Sequence, residues 1–152
     1  DYMGQTSQGI YASLAENRSF HGFLSAIKLQ KPFALVDRPV VMDKLQWAHI
    51  ESTPGFMRAR EFFLTGNKAA AHQEWFFTLK RIPEEEVLHA AHLASKWDNH
   101  LLAIQTMSAA QYYDDLSLRF PIKFEAFIDK AASETGVDKR FIISIIRQES
   151  AF

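Results

Sequence analysis

Proline and glycine set the tightest limit on what this chain can become. Pro32, Pro39, Pro54, Pro83 and Pro121, with Gly66 and Gly136, divide it into segments of helical length. The intervals between them carry helical patterning. Phe20, Phe23, Leu24 and Ile27 stand at i, i+3, i+4 and i+7, and Phe124, Phe127, Ile128 and Ala131 repeat that spacing near the other end. The expected result is a chain of short helices.

Taken in order, Gln5 to Asn17 reads as a helix with Ile10, Tyr11, Leu14 and Ala15 at helical spacing, joined at Arg18-Ser19 to the Phe20–Ile27 helix as an antiparallel pair. Pro32 and Pro39 bracket a connector. Residues 42–51 resume helical patterning, with Leu45, Ala48 and His49 or Trp47 expected to face inward. Thr53-Pro54 is a start signal: threonine at the N-cap and proline at the first helical position, where its missing N–H costs nothing. That helix runs to about Leu64 and ends at Gly66-Asn67, and Lys68 to Leu79 forms the next with Ala71, Trp75 and Phe76 available for packing. Pro83-Glu84-Glu85-Glu86 opens another, with three carboxylates where the helix dipole favours them. His100 to Tyr113 follows, and 114–121 breaks the pattern.

A shift of 31 residues superposes Ala59, Phe62, Gly66 and Asn67 on Ala90, Leu93, Trp97 and Asp98. This predicts a helix, tight turn, helix unit occurring twice, the logic of α-solenoids. Any two helical hairpins of similar length would match about as well.

Composition narrows the function classes. The 17 basic and 18 acidic residues are scattered, giving a formal net charge of -1 and no basic stripe for a nucleic acid. No apolar stretch is long enough to span a bilayer, and the absence of cysteine removes disulfides and thiolate chemistry. The 13 Phe, 3 Trp and 4 Tyr suit packing among many short helices, with a ring platform for a sugar or other flat ligand as the alternative. Glu86, His89, His92 and His100 could be imagined as a metal cluster, but no matching ligand set accompanies them, and ordinary surface or partly buried histidines are the simpler reading.

The most informative stretch is the last. Gly136 suits the left-handed position after a helix, Val137 and Asp138 form a staple and N-cap, and Phe141-Ile142-Ile143-Ser144-Ile145-Ile146 continues into Arg147-Gln148-Glu149-Ser150. Apolar residues nearly all round predict a buried helix. Ile142, Ile145 and Ile146 lie seven, four and three residues before Glu149, so the carboxylate continues an isoleucine stripe, and desolvation there would raise its pKa towards a general acid's range. A glutamate at a helix end can equally reach water or pair with a cation such as Arg147.

The segment Gly136-Val137-Asp138 with Phe141 to Phe152 resembles the start of the catalytic domain of soluble lytic transglycosylases, goose-lysozyme-like enzymes that cleave peptidoglycan. Upstream, Ser19-Phe20-His21-Gly22-Phe23-Leu24 with Pro32-Phe33-Ala34-Leu35, Arg58-Ala59-Arg60-Glu61 with Glu74-Trp75, and Arg119-Phe120-Pro121 look like the helical superhelix and linker of the large soluble members. The resemblance implies an all-α chain: the end of a helical-hairpin superhelix over 1–38, a helical linker domain over 39–118, and the first helices of a lysozyme-like domain over 119–152. It implies Glu149 as a single catalytic acid/base, Ser150 as support through a hydrogen bond, no cofactor and no metal, and a periplasmic address. The implied partners are peptidoglycan glycan strands, with cell-wall proteins as further partners and no nucleic acid or membrane span. The chain begins on Asp1 and stops directly after this motif, which predicts a segment of a longer enzyme, itself inactive because groove-lining segments would follow Phe152. The rival expectation is a non-enzymatic helical-repeat scaffold that binds proteins.

Overall fold

The computed structural model describes the backbone of residues 2–150 and the side chains of 7–150; Ala151 and Phe152, part of the terminal motif, lie outside the described residues. Every regular element among them is a helix, as the punctuation predicts. They fall into two compact units, 1–37 and 38–152.

The first unit pairs α1 (Tyr2–Ala15) with α2 (Phe20–Lys28). Ser19 caps α2 by accepting a hydrogen bond from the Gly22 amide at 3.1 Å. The face of α2 that packs is the small one, Gly22, Ser25 and Ala26, while Phe20, Leu24 and Ile27 of the predicted stripe are exposed. The reason is steric: a Cβ on Gly22 would stand 2.0 Å from the Asn17 carbonyl oxygen and 2.8 Å from that of Leu14. Close approach of the two helices selects the small residues.

The second unit holds α3 (Lys44–Ser52), α4 (Pro54–Leu64), α5 (Lys68–Leu79), α6 (Glu84–Lys96), α7 (His100–Ala109), the one-turn α8 (Leu116–Arg119), α9 (Glu125–Thr135) and α10 (Lys139–Ser150). In α3 the expected inward face is corrected. Leu45, Ala48 and His49 are exposed; Ile50 is fully buried and Trp47 half-buried, because helix α3 is rotated so that its C-terminal turn meets the core. A capping box fixes its start, with Asp43 Oδ1 accepting from the Leu45 and Gln46 amides and the Gln46 side chain accepting from the Asp43 amide. Thr53 stands at the N-cap of α4 ahead of Pro54, yet its hydroxyl donates backwards to the His49 carbonyl at 3.1 Å and caps nothing in α4. It closes the preceding helix instead.

The hairpins α4–α5 and α6–α7 repeat each other at an offset of 32, one residue more than the sequence match. Gly66 and Asp98 are the left-handed turn residues (φ 81 and 62), and Asn67 and Asn99 are the N-caps, accepting from the Ala70 and Leu102 amides. Ala59 and Ala91, and likewise Ala71 and Ala103, are buried as equivalent pairs. Asparagine and aspartate tolerate the left-handed conformation, so the turn survives without a second glycine.

The core gathers Ile50, Phe56, Trp75, Leu79, Leu93 and Leu102, with Phe63 and Trp97 packed against it. Trp75 is fully buried. Its Nε1 donates to Thr106 Oγ1 at 2.9 Å, and its ring lies 4.6 Å from Phe56 and 5.4 Å from Trp97.

Candidate functional site

Helix α10 carries Glu149, and the local sequence explains how the helix starts and stays in place. Gly136 (φ 72) ends α9 in the left-handed conformation, and Asp138 Oδ1 accepts from the Arg140 amide at 2.7 Å. These are the stop and start signals read from the sequence. Lys139 ties the first turn to α9, with Nζ 3.0 Å from Asp129 Oδ1 and 3.7 Å from Glu125 Oε1, and these carboxylates raise the lysine pKa above its ordinary value.

Near the other end, Arg147 lies over the Phe120 ring at 5.9 Å and shares a small concavity of about 130 Å³ with Met107, Tyr112, Tyr113 and Arg119. Its Nε is buried without an acceptor among the described residues. The helix is therefore steadied at both ends, and Glu149 stands between Arg147 and the C-terminal limit of the described chain.

The expectation of a buried α10 is corrected. None of its residues is fully buried: Ile142 and Ile146 are half-buried, Ile145 is 49% exposed and Glu149 is exposed. The cause is packing. In this chain α10 lies chiefly against α9, so one neighbour covers one side and the isoleucine cover over the Glu149 carboxylate is incomplete. The Ser150 hydroxyl donates to the Ile146 carbonyl at 2.9 Å, one turn back along the same helix.

Asp115, which in the sequence stands only in a break of the helical pattern, is a hub in the fold. Its carboxylate is fully buried and accepts from the amides of Val40 (3.2 Å) and Leu118 (3.1 Å) and from the Ser117 hydroxyl (2.7 Å), with His92 Nε2 at 3.0 Å. Burial pulls its pKa upward, but the hydrogen bonds from Ser117, Leu118 and Val40, backed by His92, hold it below the ordinary carboxylate value. Burial is also the main effect on His92, pushing it below its ordinary value against the raising pull of Asp115. Tyr112 donates to the Arg38 carbonyl at 2.6 Å, and the Arg38 amide donates to the Asp114 carbonyl at 2.7 Å. Segment 38–40 is thus stitched to 112–118. The readable signal was Asp115 as N-cap three residues before the Leu118 amide.

The imagined metal cluster does not assemble. Glu86 pairs with His49 at 3.2 Å, His92 with Asp115, and His100 with Asp98 at 3.3 Å, and no group of three or more His, Asp or Glu among the described residues could hold a metal ion. No helix among them is long and apolar enough to cross a membrane.

Residues 49–116 match the family described as the soluble lytic murein transglycosylase L domain. The putative soluble lytic murein transglycosylase of Haemophilus influenzae is 26% identical over 140 residues, covering 92% of this chain and 23% of that protein. The lytic transglycosylase Slt of Pseudomonas aeruginosa, solved as an inactive glutamate-to-glutamine variant, superposes with a TM-score of 0.80 at 34% identity, covering 95% of this chain and 24% of that one. The 70 kDa soluble lytic transglycosylase of Escherichia coli shares the fold, with a TM-score of 0.78 at 21% identity over 98% of this chain and 24% of its own. The chain thus spans about a quarter of the length of the relatives it matches. With residues 49–116 matching the L domain at its centre and the same helical arrangement over nearly all of its length, the chain is similar to the soluble lytic murein transglycosylases.

Proposed function

We propose that this chain is a segment of a periplasmic lytic transglycosylase that cleaves the β-1,4 bond between N-acetylmuramic acid and N-acetylglucosamine in peptidoglycan, with Glu149 as its single acid/base. In this layout residues 1–38 end a helical superhelix, 39–118 form the linker domain, and 119–152 begin the lysozyme-like domain. The observation that supports the reading is the setting of Glu149: exposed, on a helix steadied at Lys139 and Arg147, after the Gly136–Asp138 entry that is part of the segment resembling the family's catalytic domain.

The chemistry follows from one carboxyl group. Glu149 in its acid form donates a proton to the glycosidic oxygen as the bond to C1 of the muramyl sugar breaks. The resulting carboxylate then takes the proton of the C6 hydroxyl, and O6 closes onto C1 to give the 1,6-anhydro product, returning the carboxyl group to its acid form. An ordinary glycosidase uses a second carboxylate to activate water or attack the sugar. Here the substrate supplies the nucleophile. Ser150 supports the last turn of the helix through its bond to Ile146. The relative described as an inactive glutamate-to-glutamine variant supports a glutamate as the essential group in that enzyme.

The test is direct. The full-length parent incubated with purified sacculi releases anhydromuropeptides detectable by mass spectrometry, whereas the 152-residue chain and a parent carrying Glu149→Gln release none. Anhydro products from the Glu149→Gln parent would remove the assignment of the acid, and activity of the short chain would remove the claim that it is incomplete.

A further inference from the structure

Three adjoining concavities in the second unit, of about 370, 350 and 360 Å³, share one wall, the half-buried indole of Trp97. Arg60 and Lys96 line the first two, Glu61 the first, and Asn99 the second and third. The ring is held by the core: Trp75 meets it edge-on at 5.4 Å and Phe63 at 6.4 Å. Its polar edge is unused. Trp75 directs its Nε1–H to Thr106, but the Nε1–H of Trp97 has no acceptor among the described residues. Arg60 is likewise exposed with no ion pair among them, while Lys96 is fixed by Glu51 and by the Trp47 ring at 4.9 Å. In the third concavity, His100 presents a buried Nδ1 with no hydrogen-bond partner.

The chemistry of this lining excludes the obvious alternatives. Glu51, Glu61 and Asp98 balance Arg60, Lys68 and Lys96 along the lining, so a polyanion meets no net positive charge, and an apolar helix would bury Arg60 and the Lys96–Glu51 pair away from water. A pyranose chain suits it. An indole offers a flat apolar face to the sugar's axial C–H groups and an N–H at its rim, while flanking arginine, carboxylate and amide groups match hydroxyl and N-acetyl substituents. Adjoining concavities along one ring suit an extended polymer better than a single sugar.

We propose that the Trp97 cleft is a second glycan-binding site, for an N-acetylated amino-sugar strand, formed by residues separate from the Glu149 helix. It rests on the glycan-cleaving reading above and assigns to the linker domain the task of holding the polymer.

The experiment is a titration of the 152-residue chain followed by the ¹H–¹⁵N signals of its three tryptophan indoles, with Trp97→Phe identifying the relevant one. The probes are chitotetraose, soluble un-crosslinked peptidoglycan strands, and the free stem peptide. The strand shifts the Trp97 signal saturably, and Arg60→Ala weakens binding by about tenfold with an unchanged melting temperature. Trp97→Phe, read from backbone amides around Asn99, weakens it similarly. An added response to chitotetraose marks the shared N-acetylglucosamine chemistry; a response to the strand alone marks the muramyl substituents. No shift with the strand, an equal response to the free peptide, or full affinity in both variants overturns the proposal. Cleavage by the parent is scored separately: a cleaving parent with a silent Trp97 removes only this site, and a responding Trp97 in a protein that releases no anhydro product removes only the proposed reaction.

Discussion

Trp75 illustrates what one residue contributes here. Its ring fills the centre of the core between Phe56 and Trp97, and its one polar atom is matched to Thr106, whose own hydroxyl donates to the Leu102 carbonyl at 2.7 Å. Trp75, Thr106 and Leu102 are all fully buried, so neither donor can fall back on water. Thr106→Val keeps the shape and removes the acceptor, stranding the indole N–H; it is expected to lower the unfolding free energy by about 2 kcal/mol in urea melts. Asp115 works in the same way with more partners, since two amides, a hydroxyl and an imidazole converge on one buried carboxylate. Its neighbour in sequence, Asp114, looks equivalent on paper. Only the fold shows which of the two turns inward.

Among the elements, the α4–α5 crossing depends on one missing Cβ. At Gly55 it would stand 1.9 Å from Thr78 Oγ1, and Thr78 is itself held by the Glu74 carbonyl at 2.8 Å. Gly55→Ala therefore forces the helices apart and is expected to cost about 2 kcal/mol. Adding Thr78→Ala opens the space, so the double variant is expected to be more stable than the sum of the single effects predicts, a coupling that a double-mutant cycle on melting curves measures. Purely additive effects would show that the contact is not the cause. The Arg58–Glu74 ion pair on the same two helices is a weaker brace, because Arg58 is largely exposed and a surface pair contributes little. Helix α10 represents the opposite case, an element whose start is sharply specified by Gly136 and Asp138 while its sides wait for cover.

Across the whole molecule, pH acts through the Asp115–His92 pair. His92 has a folded pKa below its ordinary value of 6.5, so as pH falls past that value the unfolded chain takes up a proton that the folded chain resists. Asp115 is also depressed, from an ordinary value of 3.8, so its stabilisation is complete above that pH and is lost as pH falls through its folded value. Both act in one direction. Urea melts are expected to show stability declining from pH 7.5 to 5.5 and again towards pH 3, and His92→Gln is expected to flatten the first step while leaving the second. The sequence alone determined that the chain is all-helical and where most helices begin and end, because prolines, glycines and capping side chains act within a few residues of themselves. It also carries the motif on which the proposed role of Glu149 rests. Tertiary structure decided which faces turn inward: the small face of α2, Ile50 in α3, Asp115 beneath segment 38–40, and the offset of 32 between hairpins. These depend on how closely two helices approach and on which neighbour covers a surface, quantities that no local pattern contains.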